Sequence, residues 1–306
     1  MSALNELRQL KGAKQEATDN KAAYLFLLPW LIGLVVITIG PMIASLYLSF
    51  TDYSLLAAPD WIGIKNYQRM VSDPRLLNSI RVTLTYVIVS TPLQLGLALA
   101  IAVLLNRGMR GLAFYRSVFY LPSLMGSSVA IALLWRQIFG TDGLINQILR
   151  GLGWSNPPGW IADPSTALYT IILLHVWTFG SPMIIFLAGL RQIPDMYYEA
   201  AAVDGASKWT QFWQITMPLL SPIIFFNLVL QIIGAFQSFT QAFIVSGGNG
   251  GPSDSTMFYT LYLYQQGFAN LDMGYAAAMA WLLVLIVGAF TFLNFFLSKY
   301  WVFYDD

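Results

Sequence analysis

Cysteine is absent from this sequence of 306 residues, and histidine occurs only once. The absence of cysteine excludes disulfide bonds, thiolate catalysis and zinc or iron–sulfur sites built on cysteine. Charge is also scarce, because Lys, Arg, Asp and Glu together make up 10% of the chain, whereas a typical soluble domain carries about 25%. The formal net charge of +1 provides no strong field that would attract nucleic acid.

Hydrophobic residues, in contrast, make up 57% of the chain, and they occur in long runs without a charged side chain. A bilayer span requires about 20 mostly apolar residues. The sequence therefore predicts an all-α integral membrane protein with six transmembrane helices. These helices are expected near residues 24–49, 82–106, 114–137, 166–190, 219–245 and 273–298.

The predicted spans divide the chain into an N-terminal tail at 1–23, a six-span membrane domain at 24–298 and a C-terminal tail at 299–306. Lys and Arg outside the spans are more numerous on the side that holds both tails. Because positively charged loops favour the cytoplasm, both termini are expected to be cytoplasmic. The chain is expected in the plasma (inner) membrane of a bacterium or archaeon, with lipid around it and no nucleic-acid partner.

The inner loop at 191–218 has the pattern of a helix, a turn and a second helix. Asp195 is expected to cap the first helix, and the three alanines at 200–202 favour helical structure. The glycine of Asp204-Gly205 predicts the turn, because glycine accepts a left-handed conformation. Ser207 is expected to cap the second helix.

This loop resembles a known signature, carried here by Glu199-Ala200-Ala201, Gly205, Ile215 and Pro218. It is similar to the cytoplasmic loop of permease subunits of binding-protein-dependent ABC importers. The variant Asp204-Gly205-Ala206 resembles the maltose-type branch, which imports carbohydrates and glycerol phosphate. The resemblance implies that a coupling helix docks on a separate ATPase, through Glu199, Ala200, Ala201, Asp204, Gly205 and Ala206.

The same resemblance implies a set of partners for the chain. These are a second permease subunit, two copies of a cytoplasmic ABC ATPase and an extracytoplasmic solute-binding protein. The outer loops at 138–165 and 246–272 would receive the binding protein. The chain itself is expected to have no enzymatic activity and no cofactor, since it lacks the Lys-Ser/Thr ending of a phosphate-binding loop and ATP with Mg²⁺ would bind to the ATPase.

Polar side chains recur along the fifth predicted span at steps of three and four residues, which places them on one helical face. Polar residues within a span tend to face water or the protein interior, and amide and hydroxyl groups suit a neutral polyol. The same residue types also join helices in membranes. A purely structural role for these side chains is therefore the alternative. The predicted substrate pathway comprises Asn227, Gln231, Gly234, Ser238 and Gln241, with Tyr86 and Gln94 from the second span.

Other functions remain open at this point. An ABC importer of a different solute class would share the loop, and a self-sufficient secondary transporter or channel would use the loop as a gate. The latter predicts a titratable or ion-binding group in the core, and no Asp, Glu, Lys or Arg lies deep in a predicted span. A lone histidine cannot form a metal site, so His175 is expected to be a hydrogen-bonded interior residue.

Overall fold

The structure, a computed structural model, describes residues 24–108 and 111–303. The helices within this part are α1 (Tyr24–Leu48), α2 (Lys65–Ser72), α3 (Pro74–Leu105), α4 (Leu112–Met125), α5 (Val129–Ile138), α6 (Leu144–Gly151), α7 (Ala167–Trp177), α8 (Gly180–Leu190), α9 (Asp195–Val203), α10 (Lys208–Phe236), α11 (Thr240–Val245), α12 (Tyr259–Tyr264) and α13 (Met273–Ser298). Two strands, β1 (Thr51–Asp52) and β2 (Asp60–Trp61), form a small antiparallel hairpin. The expected tails at 1–23 and 304–306 lie outside the described residues.

Four of these helices, α1, α3, α10 and α13, are long and apolar enough to cross a membrane. Two further candidates are bent pairs, α4 with α5 and α7 with α8, whose axes turn by 95° and 42°. The described part of the chain is therefore a mostly helical membrane protein with four candidate spans, or up to six if each bent pair is one span.

The third predicted span is not the single helix that was expected near 114–137. Helix α4 ends at Met125, and the chain turns through Gly126-Ser127-Ser128 before α5 begins. Ser128 has an extended backbone, and its Oγ accepts a hydrogen bond from the N–H of Ile131 at 3.3 Å. A serine in this position caps a new helix, which stabilises the break.

The fourth and fifth predicted spans are also interrupted. The fourth bends between α7 and α8 at Thr178 and Phe179. The fifth begins earlier and ends earlier than predicted, because α10 stops at Phe236 and α11 starts only at Thr240. A residue-by-residue count of apolar side chains misses these breaks, because the interrupting segments are short and mostly uncharged.

Two clusters of buried apolar residues hold the helices together. The larger joins α3, α7, α10, α11, α12 and α13, and Tyr86, Tyr259 and Tyr275 are almost completely buried in it. The smaller joins α3, α8 and α10 near the start of α10, around Ala98 and Met183. Helices α3 and α10 contribute to both clusters, so together they connect the two halves of the bundle.

Asp73 ties the beginning of α3 to the last helices of the chain. Its Oδ1 accepts hydrogen bonds from the backbone N–H of Arg75 and Leu76 at 3.0 and 3.1 Å. Its Oδ2 accepts from the hydroxyls of Tyr262 and Tyr275, each at 2.8 Å. Burial raises the pKa of this carboxyl, but the four hydrogen bonds together outweigh burial and hold the pKa below its ordinary value.

Two ion pairs flank Asp73 and strengthen the same connection. Arg69 Nη1 lies 2.6 Å from Asp272 Oδ2, just before α13, and Arg75 Nη2 lies 2.9 Å from Asp254 Oδ1 in the loop before α12. Both pairs are partly exposed, so each contributes little alone. Together with Asp73 they bind the loop at 246–272 to the start of α3.

We expect Asp73→Ala to destabilise the protein, because it removes both a helix cap and the acceptor of two tyrosine hydroxyls. Loss of a cap costs about 0.5–2 kcal/mol, and each hydrogen bond to a charged group contributes about 1.5–3 kcal/mol. Thermal unfolding in detergent at pH 7 measures the loss. Asp142→Ala is the control, because the Asp142–Arg150 pair is exposed and should contribute less than about 1 kcal/mol.

The pH dependence gives a second test of the Asp73 contribution. The carboxylate form is favoured in the folded state, so its stabilising effect is present above the ordinary pKa of 3.8 and is lost as pH falls through the lower folded-state pKa. The difference between the native protein and Asp73→Ala should therefore shrink only below about pH 4. A difference that stays constant down to pH 2 would contradict this account.

Candidate functional site

A polar cavity of about 450 Å³ lies where the interrupted helices meet. The breaks between α4 and α5, α7 and α8, and α10 and α11 all border it. Irregular backbone at membrane depth is tolerated where it lines a cavity or is buried in protein. The side chains at its wall include Gln94, His175, Thr178, Gln231, Ser238 and Gln241, and none of the lining residues is Asp, Glu, Lys or Arg.

Five of the seven residues predicted for the substrate pathway border this cavity: Gln94, Gln231, Gly234, Ser238 and Gln241. The sequence predicted that the residues of the fifth span share one continuous helical face. This prediction is wrong for Ser238 and Gln241, because α10 ends at Phe236. The break nevertheless keeps them together. Gln241 Nε2 donates to the carbonyl oxygen of Gly126 at 3.2 Å and so joins the start of α11 to the break before α5.

The other two predicted pathway residues lie elsewhere. Asn227 is 1% exposed, and its Nδ2 donates to the carbonyl oxygen of Ile223 one helical turn earlier, at 3.0 Å. Tyr86 is 1% exposed and packs between the rings of His175 and Phe258, with centroid distances of 5.4 and 4.6 Å. Neither side chain borders the polar cavity, although Tyr86 packs against His175 at its wall.

Several residues that line the cavity were not selected from the sequence. They include Ser123 in the last turn of α4, Thr178 at the break after α7, and His175, whose Nε2 is buried without a hydrogen-bond partner among the described residues. The expectation of a hydrogen-bonded interior histidine is thus not met at Nε2. Each of Ser123 and Thr178 precedes a glycine by two or three residues, and a glycine within an apolar run is a sequence signal for a helix break. The signal does not indicate that the two residues are neighbours in the fold.

Helices α4 and α8 touch at Gly180, beside the cavity. A Cβ added at Gly180 would lie 2.5 Å from the carbonyl oxygen of Phe119 and 2.7 Å from Cα of Tyr120. Only glycine permits this approach, so the position of α8 against α4 depends on it. This contact fixes one wall of the cavity.

The loop at 191–218 has the helix–turn–helix form that was predicted. Gly205 has φ +81°, and Ser207 Oγ accepts from the N–H of Thr210 at 3.2 Å to cap α10. Asp195 is the first residue of α9 rather than its cap, because Pro194 occupies the capping position. Tyr198 anchors α9 to α10, since its hydroxyl lies 2.9 Å from Thr216 Oγ1.

The outer side of α9 is free of contacts within the described chain. Glu199 and Ala200 are exposed, Ala201 and Ala206 are partly exposed, and Asp204 and Gly205 are exposed at the turn. Val203 is 88% exposed, although it is apolar. Small side chains together with an exposed valine form a surface that another protein can approach closely.

Interrupted membrane helices around a polar cavity are a feature of many transport proteins, and comparisons with known proteins assign this chain to that class. The family described as "Binding-protein-dependent transport system inner membrane component" matches residues 72–301. The chain belongs to this family, which confirms the resemblance seen in the loop.

Individual relatives match nearly the whole chain. The probable ABC transporter permease protein YesP of Bacillus subtilis (strain 168) is 52% identical over 97% of this chain and 96% of its own length. The lactose transport system permease protein LacF of Rhizobium radiobacter is 32% identical over 90% and 93%. These relatives are transport permeases rather than enzymes.

A solved structure shares the fold. A chain of the bacterial alginate ABC transporter, in complex with an alginate pentasaccharide-bound periplasmic protein, superposes with a TM-score of 0.81 at 20% identity. The match covers 93% of this chain and 96% of that chain. The two chains therefore share a fold.

We expect Gly180→Ala to destabilise the protein, because the added methyl group would push α8 away from the backbone of α4. Overpacking of this kind costs about 1–3 kcal/mol. The apparent melting temperature in detergent measures the effect. Gly96→Ala in α3 is the matched control, because a Cβ at Gly96 meets nothing within 4 Å. Equal behaviour of the two variants would show that the close contact is unimportant.

Proposed function

We propose that this chain is the translocation subunit of an ATP-driven importer for a sugar or oligosaccharide. The observation that carries the proposal is the polar cavity without formal charge that the helix breaks surround. Relatives support the solute class, since they include permeases of lactose, trehalose/maltose and arabinooligosaccharide transport systems. The cavity would be the part of the pathway that passes the solute.

The chemistry of the cavity wall suits a neutral polyhydroxy solute. The wall holds the amide groups of Gln94, Gln231 and Gln241, and the amide oxygens can accept hydrogen bonds from sugar hydroxyls. Phe239 at the same wall offers an aromatic surface to the apolar face of a sugar ring. The lining lacks a carboxylate, which argues against coupling to protons or sodium ions through this cavity.

Energy would enter through the loop at 191–218. We place the coupling contact on Glu199, Ala200, Ala201, Asp204, Gly205 and Ala206, because these residues lie on or beside the exposed side of α9. ATP and Mg²⁺ would bind two copies of a separate ATPase. A second permease subunit and an extracytoplasmic binding protein, received by the outer loops at 138–165 and 246–272, would complete the importer.

The topology that we propose counts each bent pair as one span, which gives six spans in the membrane domain at 24–298. Both tails, at 1–23 and 299–306, and the loop at 191–218 would then lie in the cytoplasm, and the protein would lie in the plasma (inner) membrane. Asp73, with the two tyrosines and the two ion pairs around it, would lie at the outer face. This arrangement places the coupling surface and the binding-protein surface at opposite ends of the bundle.

The nearest alternative is an importer of the same kind for another solute. A relative 33% identical to this chain is the sn-glycerol-3-phosphate transport system permease protein UgpA of Agrobacterium fabrum. The cavity lining lacks Lys and Arg, which favours an uncharged solute over a phosphate ester. A self-sufficient transporter or channel is the more distant alternative.

Purification of the tagged chain from its native membrane in mild detergent tests the assembly. We expect an ATPase at two copies beside one second permease, counted by mass spectrometry. Uptake of lactose, maltose, trehalose and arabinooligosaccharides by the reconstituted assembly then identifies the solute. Recovery of this chain alone, with uptake that requires no ATP, would contradict the proposal.

We expect Gly205→Val to abolish ATP-driven uptake while the chain still inserts into the membrane. Valine disfavours the φ of +81° at this turn, so α9 would change its angle to α10 and lose the ATPase. Loss of at least 90% of uptake, as an order-of-magnitude expectation, and loss of the ATPase from the purified complex are the measurements. Glu199→Lys should reduce uptake in the same way by reversing a charge at the proposed contact.

Gly153→Val is the matched control for this experiment. Gly153 also has a positive φ, of +95°, and a Cβ there would meet nothing within 4 Å, but it lies in the loop at 138–165. The backbone strain is therefore comparable, and only the location differs. Equal loss of the ATPase in both variants would indicate general misfolding instead of a coupling contact.

A further inference from the structure

The bend between α7 and α8 exposes backbone carbonyl groups that a continuous helix would satisfy. The side chain of Gln94, from α3, reaches these groups. Its Nε2 lies 3.1 Å from the carbonyl oxygen of His175, 3.1 Å from that of Thr178 and 3.1 Å from Thr178 Oγ1. One amide group thus braces the bend from outside the helix.

Ser123, from α4, braces the other side of the same bend. Its Oγ donates to the carbonyl oxygen of Thr178 at 2.8 Å and accepts from the N–H of Ser181 at 2.9 Å. Both braces come from neighbouring helices, and both border the polar cavity. The bend is therefore bonded by side chains that belong to the cavity wall.

The orientation of the Gln94 amide is fixed by its surroundings. The opposite orientation would point Oε1 at two carbonyl oxygens, which would repel it. Oε1 consequently faces away from the bend, and it has no hydrogen-bond partner among the described residues, although Gln94 is only 2% exposed. A buried acceptor without a partner is unfavourable, so a hydroxyl donor that reached Oε1 would gain a hydrogen bond.

A single helix, α8, lies between the bend and the proposed coupling surface on α9. Helix α8 runs without interruption from Gly180 to Leu190, and α9 begins soon afterwards at Asp195. A swing of about 10° at the bend, over the 11 residues of α8, would move its far end by about 3 Å at a rise of about 1.5 Å per residue. A swing of this size at Thr178 would therefore displace the start of α9.

We propose that Gln94 is a positioning residue that links solute occupancy of the cavity to α9 through the bend at Thr178. A solute hydroxyl would donate to Oε1, which polarises the amide and strengthens the bonds that Nε2 donates to the bend. The bent arrangement then binds the solute better than a straighter one, so occupancy shifts the position of α8. The inference rests on the proposed function, because it assigns the sensing of the solute to the same cavity.

The first test uses the complete importer in proteoliposomes with its binding protein and the sugar from the panel above that supports uptake. Gln94→Met keeps the length of the side chain but removes the amide. We expect the ATP hydrolysed per sugar transported to rise at least fivefold, because solute occupancy no longer controls α9. An unchanged ratio, with only a raised KM for uptake, would show that Gln94 is a simple solute contact and would overturn the proposal.

Three matched variants separate sensing from other effects. Gln231→Met removes the same amide group from the same cavity without touching the bend, so it should raise the KM and leave the ratio of ATP to sugar unchanged. Thr178→Val removes the hydroxyl that accepts from Gln94 and should raise the ratio. Thr178→Ser retains the hydroxyl and should restore it. A raised ratio in Gln231→Met equal to that in Gln94→Met would contradict a specific role of the bend.

A second measurement does not depend on the activity of a Gln94 variant. The native chain has no cysteine, so spin labels can be attached to Gln192→Cys, just after α8, and Phe292→Cys in α13. We expect the distance between the labels to change by about 3 Å when the sugar-loaded binding protein is added. An identical distance with and without sugar, in a complex that transports, would overturn the inference.

The outcomes keep the two proposals apart. A native complex that shows no ATP-driven uptake of any sugar in the panel contradicts the proposed function. A native complex that transports sugar, while Gln94→Met retains the native ratio of ATP to sugar, contradicts only the role of Gln94.

Discussion

The structure depends on one constraint, which is that every backbone polar group inside an apolar bundle needs a partner from the protein itself. Two of the candidate spans are bent pairs, and at both bends backbone carbonyl groups are bonded by side chains from neighbouring helices. Gln94 and Ser123 serve the bend at Thr178, and Gln241 serves Gly126. The polar residues that make the breaks possible are for this reason the same residues that surround the cavity.

The two ends of the bundle are built by different physical means. At one end, Asp73, two tyrosines and two ion pairs bind the loop at 246–272 to α3 and α13. At the other end, α9 is attached mainly through Tyr198 and presents an exposed surface. A rigid end and a sparsely attached end suit a protein in which motion enters at α9, because local contacts set how easily a segment moves.

Family membership and site chemistry answer different questions about this chain. The match over residues 72–301 assigns it to the inner-membrane components of binding-protein-dependent transport systems. The alginate transporter shares the fold at 20% identity, and a shared fold does not determine which solute is carried. The proposal of a sugar or oligosaccharide as the solute rests on the amide and hydroxyl groups of the cavity, together with the named relatives.

The sequence by itself determined the membrane class, the spans at α1 and α13, the left-handed Gly205 and the cap at Ser207, because each depends on local composition or on a short pattern. It also selected five of the residues that line the cavity. Only the tertiary structure decided that the third and fourth predicted spans are bent, that the fifth ends at Phe236, and that Asn227 and Tyr86 lie outside the cavity. The reason is physical: a break at Thr178 is stable because of Gln94 and Ser123, which lie far away in the chain, and local periodicity carries no information about such partners.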